Sequence, residues 1–124
     1  MRFLDLAYLH ENYVQVGFGD VLRDVLQTFD KQARQNLQTI QTAYSTSDLN
    51  AVSEVAHTLK GSAGSVGALR LAAVAEALEK SAGNGDMAAA THLTSELTAL
   101  TEGTLAEVAI ILTQPLDDRW PTPW

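Results

Sequence analysis

The sequence predicts an all-α fold, an antiparallel up-down four-helix bundle with a short extra helix at the N-terminus. Apolar residues recur at intervals of three and four along almost the whole chain, and no stretch sustains the period of two that is typical of strands. Short polar turns separate the periodic segments, so consecutive helices are expected to pack antiparallel. The 124 residues, 46% of them hydrophobic, suffice for one domain with a buried core.

Two helices are predicted before the polar turn "STSD". Residues 3–13 form the short first helix. A long helix over about 20–44 carries apolar residues at successive spacings of 4, 3, 4, 4, 3 and 4, namely Leu22, Leu26, Phe29, Ala33, Leu37, Ile40 and Tyr44. In the turn, Ser47 or Asp48 is expected to cap the next helix, because a side-chain oxygen there can accept a backbone N–H from the first turn.

Three more helices complete the predicted bundle. The third carries His57 and ends at Gly67, a residue that readily takes a positive φ. The fourth, over about 69–82, places four apolar residues on one face: Leu71, Val74, Ala75 and Leu78. The segment "GNGD" ends it, Asp86 caps the last long helix, and Pro115 ends that helix.

The composition changes after the last predicted helix. Residues 1–114 are assigned to the bundle and residues 115–124 to a Pro/Trp-rich C-terminal tail. Its prolines exclude a helix, so we expect an extended segment in which Trp120 or Trp124 packs back on the bundle.

Charge and composition exclude several classes of function. Asp and Glu number 15 against 8 Lys and Arg, and the formal charge of −7 opposes binding to nucleic acid or to an anionic membrane. Cysteine is absent, which excludes disulfides, a thiol nucleophile and a zinc-thiolate site. No signal peptide or membrane span is recognisable, so we expect a cytoplasmic protein, and the start at Met1 favours a free-standing one.

The segment "EVAHTLKGSAGSVGA", residues 54–68, combines a helical pattern with glycines in its interior. Each of Gly61 and Gly64 costs about 1 kcal/mol relative to alanine, because glycine loses the most backbone freedom in a helix. They follow His57 by four and seven residues, positions from which a side chain would crowd the imidazole. Their absence of side chains leaves the ring open to a bulky reactant.

The helical period places His57 on the solvent side of its helix. At about 100° per residue, His57 lies about 140° from the centre of the buried stripe formed by Val52, Leu59 and Ala63. We expect the two glycines to form an access and docking face with the residues that share this outer side: Asn50, Ser53 and Glu54. Lys60, one turn from His57, can bring a mobile cation to a phosphoryl group on the ring, or can be a solvated lysine beside the core.

The segment "AHTLKGSAGSVGA" resembles the signature of histidine-containing phosphotransfer (HPt) domains, in which leucine, lysine and glycine follow the histidine at +2, +3 and +4. The matching residues here are His57, Leu59, Lys60, Gly61, Ser62, Ala63 and Gly67. Softer similarity extends over about residues 3–113. The resemblance implies that His57 accepts a phosphoryl group from the aspartate of one response-regulator receiver domain and passes it to another.

The same resemblance implies receiver domains and a hybrid sensor histidine kinase as partners, with Mg²⁺ bound by the receiver and no cofactor or metal on this chain. The chain would then be a monomeric phosphocarrier and not an enzyme, since no nucleotide site is recognisable. A helical docking module for signalling proteins, with His57 incidental, is the alternative. A metal site is not indicated, because His10, His57 and His92 lack metal-ligand spacing.

Overall fold

A computed structural model describes residues 2–122, which contain five α-helices and no strand. A short N-terminal helix over Leu6–Leu9 continues in π-helical geometry over His10–Val14. The α-helices are α1 (Leu6–Leu9), α2 (Gly19–Ser45), α3 (Leu49–Ser65), α4 (Leu69–Gly83) and α5 (Met87–Leu112). Each of α2, α3 and α4 packs against the next helix across a three-residue turn, and α2 closes the bundle against α5. The predicted antiparallel four-helix bundle with an extra N-terminal helix is confirmed.

In the middle of the chain, helices begin and end at the capping residues and the glycine predicted from the sequence. Asp48 accepts a hydrogen bond from the N–H of Ala51, so it is the cap, while Ser47 lies in the turn with φ 58°. Asp86 caps α5 in the same way. Gly67 follows α3 with φ 74°, a conformation that favours glycine.

The N-terminal helix begins later than predicted. Asp5 takes an extended conformation and its carboxylate accepts the N–H of Tyr8, so helical geometry begins at Leu6 and not at residue 3. The preceding residues cross to α5, where Phe3 and Leu4 donate their N–H groups to the buried Glu107 carboxylate at 2.9 and 3.1 Å. The prediction of a helix over residues 3–13 missed this cap.

The core determines how α3 is rotated in the bundle. Its inner face is completely buried, through Val52, Ala56, Leu59 and Ala63. These residues include the predicted stripe, so the side of α3 that faces the other helices was correctly identified. No helix in residues 2–122 combines the length and apolar character needed to span a membrane.

The C-terminal tail folds back on the bundle after α5 ends at Leu112. Trp120 is only 2% exposed, which confirms that a tail tryptophan packs on the bundle. Trp124, the other candidate, lies outside the described residues.

Candidate functional site

His57 projects from the side of α3 opposite the core. Its side chain is 66% exposed, as the helical period predicts. The ring is nevertheless held in place, because its Nδ1 lies 2.6 Å from Oε2 of Glu79 on the neighbouring helix α4. An exposed imidazole is therefore oriented by one specific hydrogen bond.

Lys60 shares the same carboxylate. Its Nζ donates a hydrogen bond to Oε1 of Glu79 at 3.2 Å, and its side chain is 33% exposed. Glu79 thus bridges a ring nitrogen and an ammonium that lie one turn apart on α3. In the free protein, Lys60 is therefore ion-paired with Glu79. The sequence predicted either a cation for a phosphoryl group or a solvated lysine, and neither prediction included this carboxylate.

The charge state of Glu79 decides which nitrogen of His57 carries the proton. Partial burial raises the pKa of Glu79, but the hydrogen bonds and charges of Lys60 and His57 outweigh it and lower the pKa below the ordinary 4.5. The carboxylate is therefore ionised at neutral pH and can only accept, so Nδ1 must donate. In the neutral ring Nε2 then has a free lone pair, and it makes no hydrogen bond to the described residues.

The two glycines of α3 face open space. A Cβ built on Gly61 or Gly64 would have no atom of another part of the described chain within 4 Å. Close packing of a neighbouring helix, the other physical reason for glycine at these positions, is thereby excluded. The solvent beside the ring is unobstructed on the C-terminal side of His57.

The other residues of the predicted docking face do not form one surface. Glu54 is exposed one turn before His57, and Asn50 is exposed about 10 Å away along the helix axis. Ser53 is half-buried, and its hydroxyl donates to the backbone carbonyl of Glu79 at 2.9 Å. Its assignment to the open face is corrected, because α4 covers this side of α3 and Ser53 lies in the seam.

Three exposed apolar side chains that the sequence pattern does not predict lie at the start of α2 and in the turn before it. Val16, Phe18 and Val21 are 56%, 55% and 47% exposed, and we call them the apolar lip. Val21 also lines a groove of about 280 Å³, together with Asp24, Val25, Thr28, Phe29 and Gln32 of α2 and with Ser62, Ser65 and Val66 at the end of α3. One signal was available, since Val21 is apolar but lies one position off the buried stripe of α2.

Glu79 was also missed, although the chain contains a signal for it. Helices joined by a short turn place residues at similar distances from that turn beside each other. Glu79 follows Gly67 by twelve residues, and His57 precedes Gly67 by ten, so the two lie at similar distances from the turn.

The other two histidines lie in different surroundings. His92 is on the surface, where its Nε2 lies 3.7 Å from Oε2 of Glu96, and His10 is half-buried in the N-terminal helix. Residues 2–122 contain no group of three potential metal ligands.

Two comparisons with known proteins identify similar molecules. The family described as "Hpt domain" matches residues 24–103. The crystal structure of histidine-containing phosphotransfer protein B from Pseudomonas aeruginosa PAO1 is similar, with a TM-score of 0.79 and 26% sequence identity, over 90% of this chain and 95% of that chain. No curated protein matches the sequence significantly.

The lowered pKa of Glu79 predicts a pH-dependent contribution to stability. A carboxylate whose folded-state pKa is depressed stabilises the protein above its ordinary value of 4.5, and the contribution is lost as the pH falls through the folded-state value. Wild type should therefore melt at a higher temperature than Glu79→Gln at pH 6, and the difference should shrink below pH 4.5. Glu76→Gln is the control, because Glu76 lies on the same helix and is exposed. A difference that persists unchanged to pH 3 would contradict the ionic role of Glu79.

Proposed function

Because the chain belongs to the Hpt domain family, we propose that it is a phosphorelay intermediate that carries a phosphoryl group on His57. The observation that supports this proposal most directly is the exposed ring, with Nδ1 bonded to Glu79 and Nε2 open to solvent. The phosphoryl donor would be the aspartyl phosphate of a receiver domain, and the acceptor another receiver. The chain is then a covalent carrier and not an enzyme with its own nucleotide site.

The transfer follows from the tautomer that Glu79 imposes. The Nε2 lone pair forms a bond to phosphorus while the bond between phosphorus and the aspartyl oxygen breaks, and the electron pair of that bond returns to the aspartate carboxylate. Nδ1 keeps its proton, so the ring becomes positively charged. The Glu79 carboxylate, 2.6 Å from Nδ1, stabilises that charge. Return transfer to a receiver reverses the same bond changes.

Lys60 is proposed to act on the phosphoryl group itself. Its partly exposed ammonium lies one turn from His57, and its long stem allows it to leave Glu79 when negative charge gathers beside the ring. The receiver would supply Mg²⁺ at its own aspartate, and this chain would supply no metal.

Docking is proposed to use the open glycine side of α3 together with the apolar lip and its groove. Gly61 and Gly64 admit the rim of a receiver active site, while Phe18 and Val21 offer exposed apolar area next to it. One histidine and one aspartate suffice for the reaction, so we propose a monomer that binds one receiver at a time. Its partners would include a hybrid sensor histidine kinase that carries the donor receiver.

Replacing the proposed nucleophile should abolish phosphorylation. His57→Gln removes Nε2 from an exposed position, so helix content should be unchanged while acid-labile label from a phosphorylated receiver disappears. His92→Gln is the control, since His92 is also exposed, but its Nε2 lies 3.7 Å from Glu96 and so faces a carboxylate. If the wild type also shows no label, the alternative of a docking module that carries no phosphoryl group is favoured. If label persists on His57→Gln, another residue carries the phosphoryl group.

Lys60→Ala should slow phosphoryl transfer while receiver binding stays nearly unchanged, because the lysine acts on charge that develops at the reacting centre. The measurement is single-turnover transfer in two backgrounds, wild type and Glu79→Gln. A lysine that acts directly on the phosphoryl group slows transfer in both. If Lys60→Ala has no effect once Glu79 is replaced, the lysine acts only by holding that carboxylate, and the direct role is wrong.

Gly61→Gln should separate stability from transfer. Glutamine is a better helix former than glycine by roughly 0.5 kcal/mol, and it would extend into open space, so the melting temperature should hold or rise. Transfer should fall steeply, because the new side chain stands one turn from the imidazole in the path of the receiver. Ala99→Gln, on the exposed side of α5, is the matched control. Transfer at the wild-type rate would mean that receivers approach from another side.

A further inference from the structure

The C-terminal segment is attached to the first turn of α2. We call residues 113–122 the strap. The guanidinium of Arg23 donates to the carbonyl of Leu112 at 2.7 Å and to that of Gln114 at 2.9 Å. The carbonyl oxygen of Leu116 lies against the Cα of Gly19, in space that any Cβ would occupy. Trp120 then anchors the strap in the core.

The start of α2 lacks a side-chain cap, as does the start of α4, which follows Ala68. Asp5, Asp48 and Asp86 cap α1, α3 and α5 through their carboxylates. The cap position of α2 is Phe18, which makes no side-chain capping hydrogen bond in the described structure. The strap contacts α2 at this uncapped end, since both Gly19 and Arg23 belong to its first five residues.

The same turn carries two of the three residues of the apolar lip. Phe18 immediately precedes Gly19, and Val21 lies between Gly19 and Arg23. Both side chains are about half exposed, so packing in the core does little to fix their positions. The backbone that displays them is instead held between the π-helical segment and the strap, because Phe18 donates its N–H to the carbonyl of Tyr13 and Gly19 packs under Leu116.

From these contacts we propose that the strap positions the apolar lip for receiver binding and is thereby a determinant of receiver affinity. This inference rests on the proposed phosphotransfer function. It assigns the strap a role in receiver recognition and no role in the chemistry at His57. A lip that is ordered before binding loses less conformational freedom when a partner docks, so affinity improves without a new contact.

Two variants release the strap by independent routes. Trp120→Ala removes its anchor, and Arg23→Gln removes the fork that holds two carbonyls while keeping part of the stem. Arg119→Ala is the matched control, because Arg119 is exposed, adjoins Trp120 and is ion-paired only with Asp117 in the described structure. Helix content and melting curves at the assay temperature identify any variant that is not folded, and Arg23→Gln then carries the test alone.

Two phosphodonors separate recognition from chemistry. Labelling by phosphoramidate, a small donor that needs no docking, should be unchanged in both variants. Transfer from a phosphorylated receiver should need about tenfold more receiver for half-saturation, equivalent to about 1.4 kcal/mol, while the rate at saturation stays the same. Arg119→Ala should behave as wild type in both assays.

Three outcomes would overturn the proposal. Unchanged half-saturation in a folded Arg23→Gln would show that the strap does not position the lip. A parallel loss of phosphoramidate labelling would show that the strap acts on the fold or the site as a whole. An equal weakening in Arg119→Ala would assign the effect to the charge of the tail. Failure of the wild type to exchange with any receiver, despite phosphoramidate labelling, would instead overturn the proposed function.

Discussion

Complete burial of the inner face of α3 is the constraint on which the placement of the site depends. Val52 and Leu59 are each 0% exposed, and full burial of such a side chain contributes roughly 1.5–3 kcal/mol. Two of them more than offset the two glycines, which cost about 1 kcal/mol each. The rotation that buries these residues turns His57 outward and Lys60 toward α4. The open glycine side is thus maintained by packing on the opposite side of the same helix.

Sequence patterns identified what depends on one helix alone. The period of three and four predicted the exposure of His57 and the open side of Gly61, and one of the two predicted cap candidates, Asp48, marks where α3 begins. Contacts between helices require a register that the periodic pattern does not contain. Glu79 is one example, because its distance from His57 depends on how far α4 is shifted along α3. Ser53 is another, since a position near the edge of the buried stripe becomes a seam residue only when α4 covers it.

Near the two ends of the chain, too, the periodic pattern does not contain the contacts that determine the structure. The apolar spacing continues through Asp5 and predicts a helix there, whereas the Asp5 carboxylate caps the turn that follows, so the helix begins only after it. Gly19 lies just before residue 20, where the apolar period predicts the start of the long helix, and nothing in the sequence distinguishes it. Its reason is tertiary: the Leu116 carbonyl, nearly one hundred positions later, occupies the place of a side chain. A close approach between residues so far apart in the sequence cannot be predicted from the spacing of apolar residues.

In the proposed carrier, the sharing of one carboxylate between His57 and Lys60 also affects the balance between accepting and releasing phosphate. A carboxylate that stabilises the charged ring in the transition state stabilises it equally in the phosphorylated product, and a product held too firmly is slow to donate. Two features limit this effect. The Glu79 side chain is 23% exposed, so water screens the interaction, and part of its hydrogen-bonding capacity is directed to Lys60. In the proposed carrier, an ion pair that is partly solvated and divided between two cations therefore orients the ring strongly enough for attack while leaving the phosphoryl group available for onward transfer.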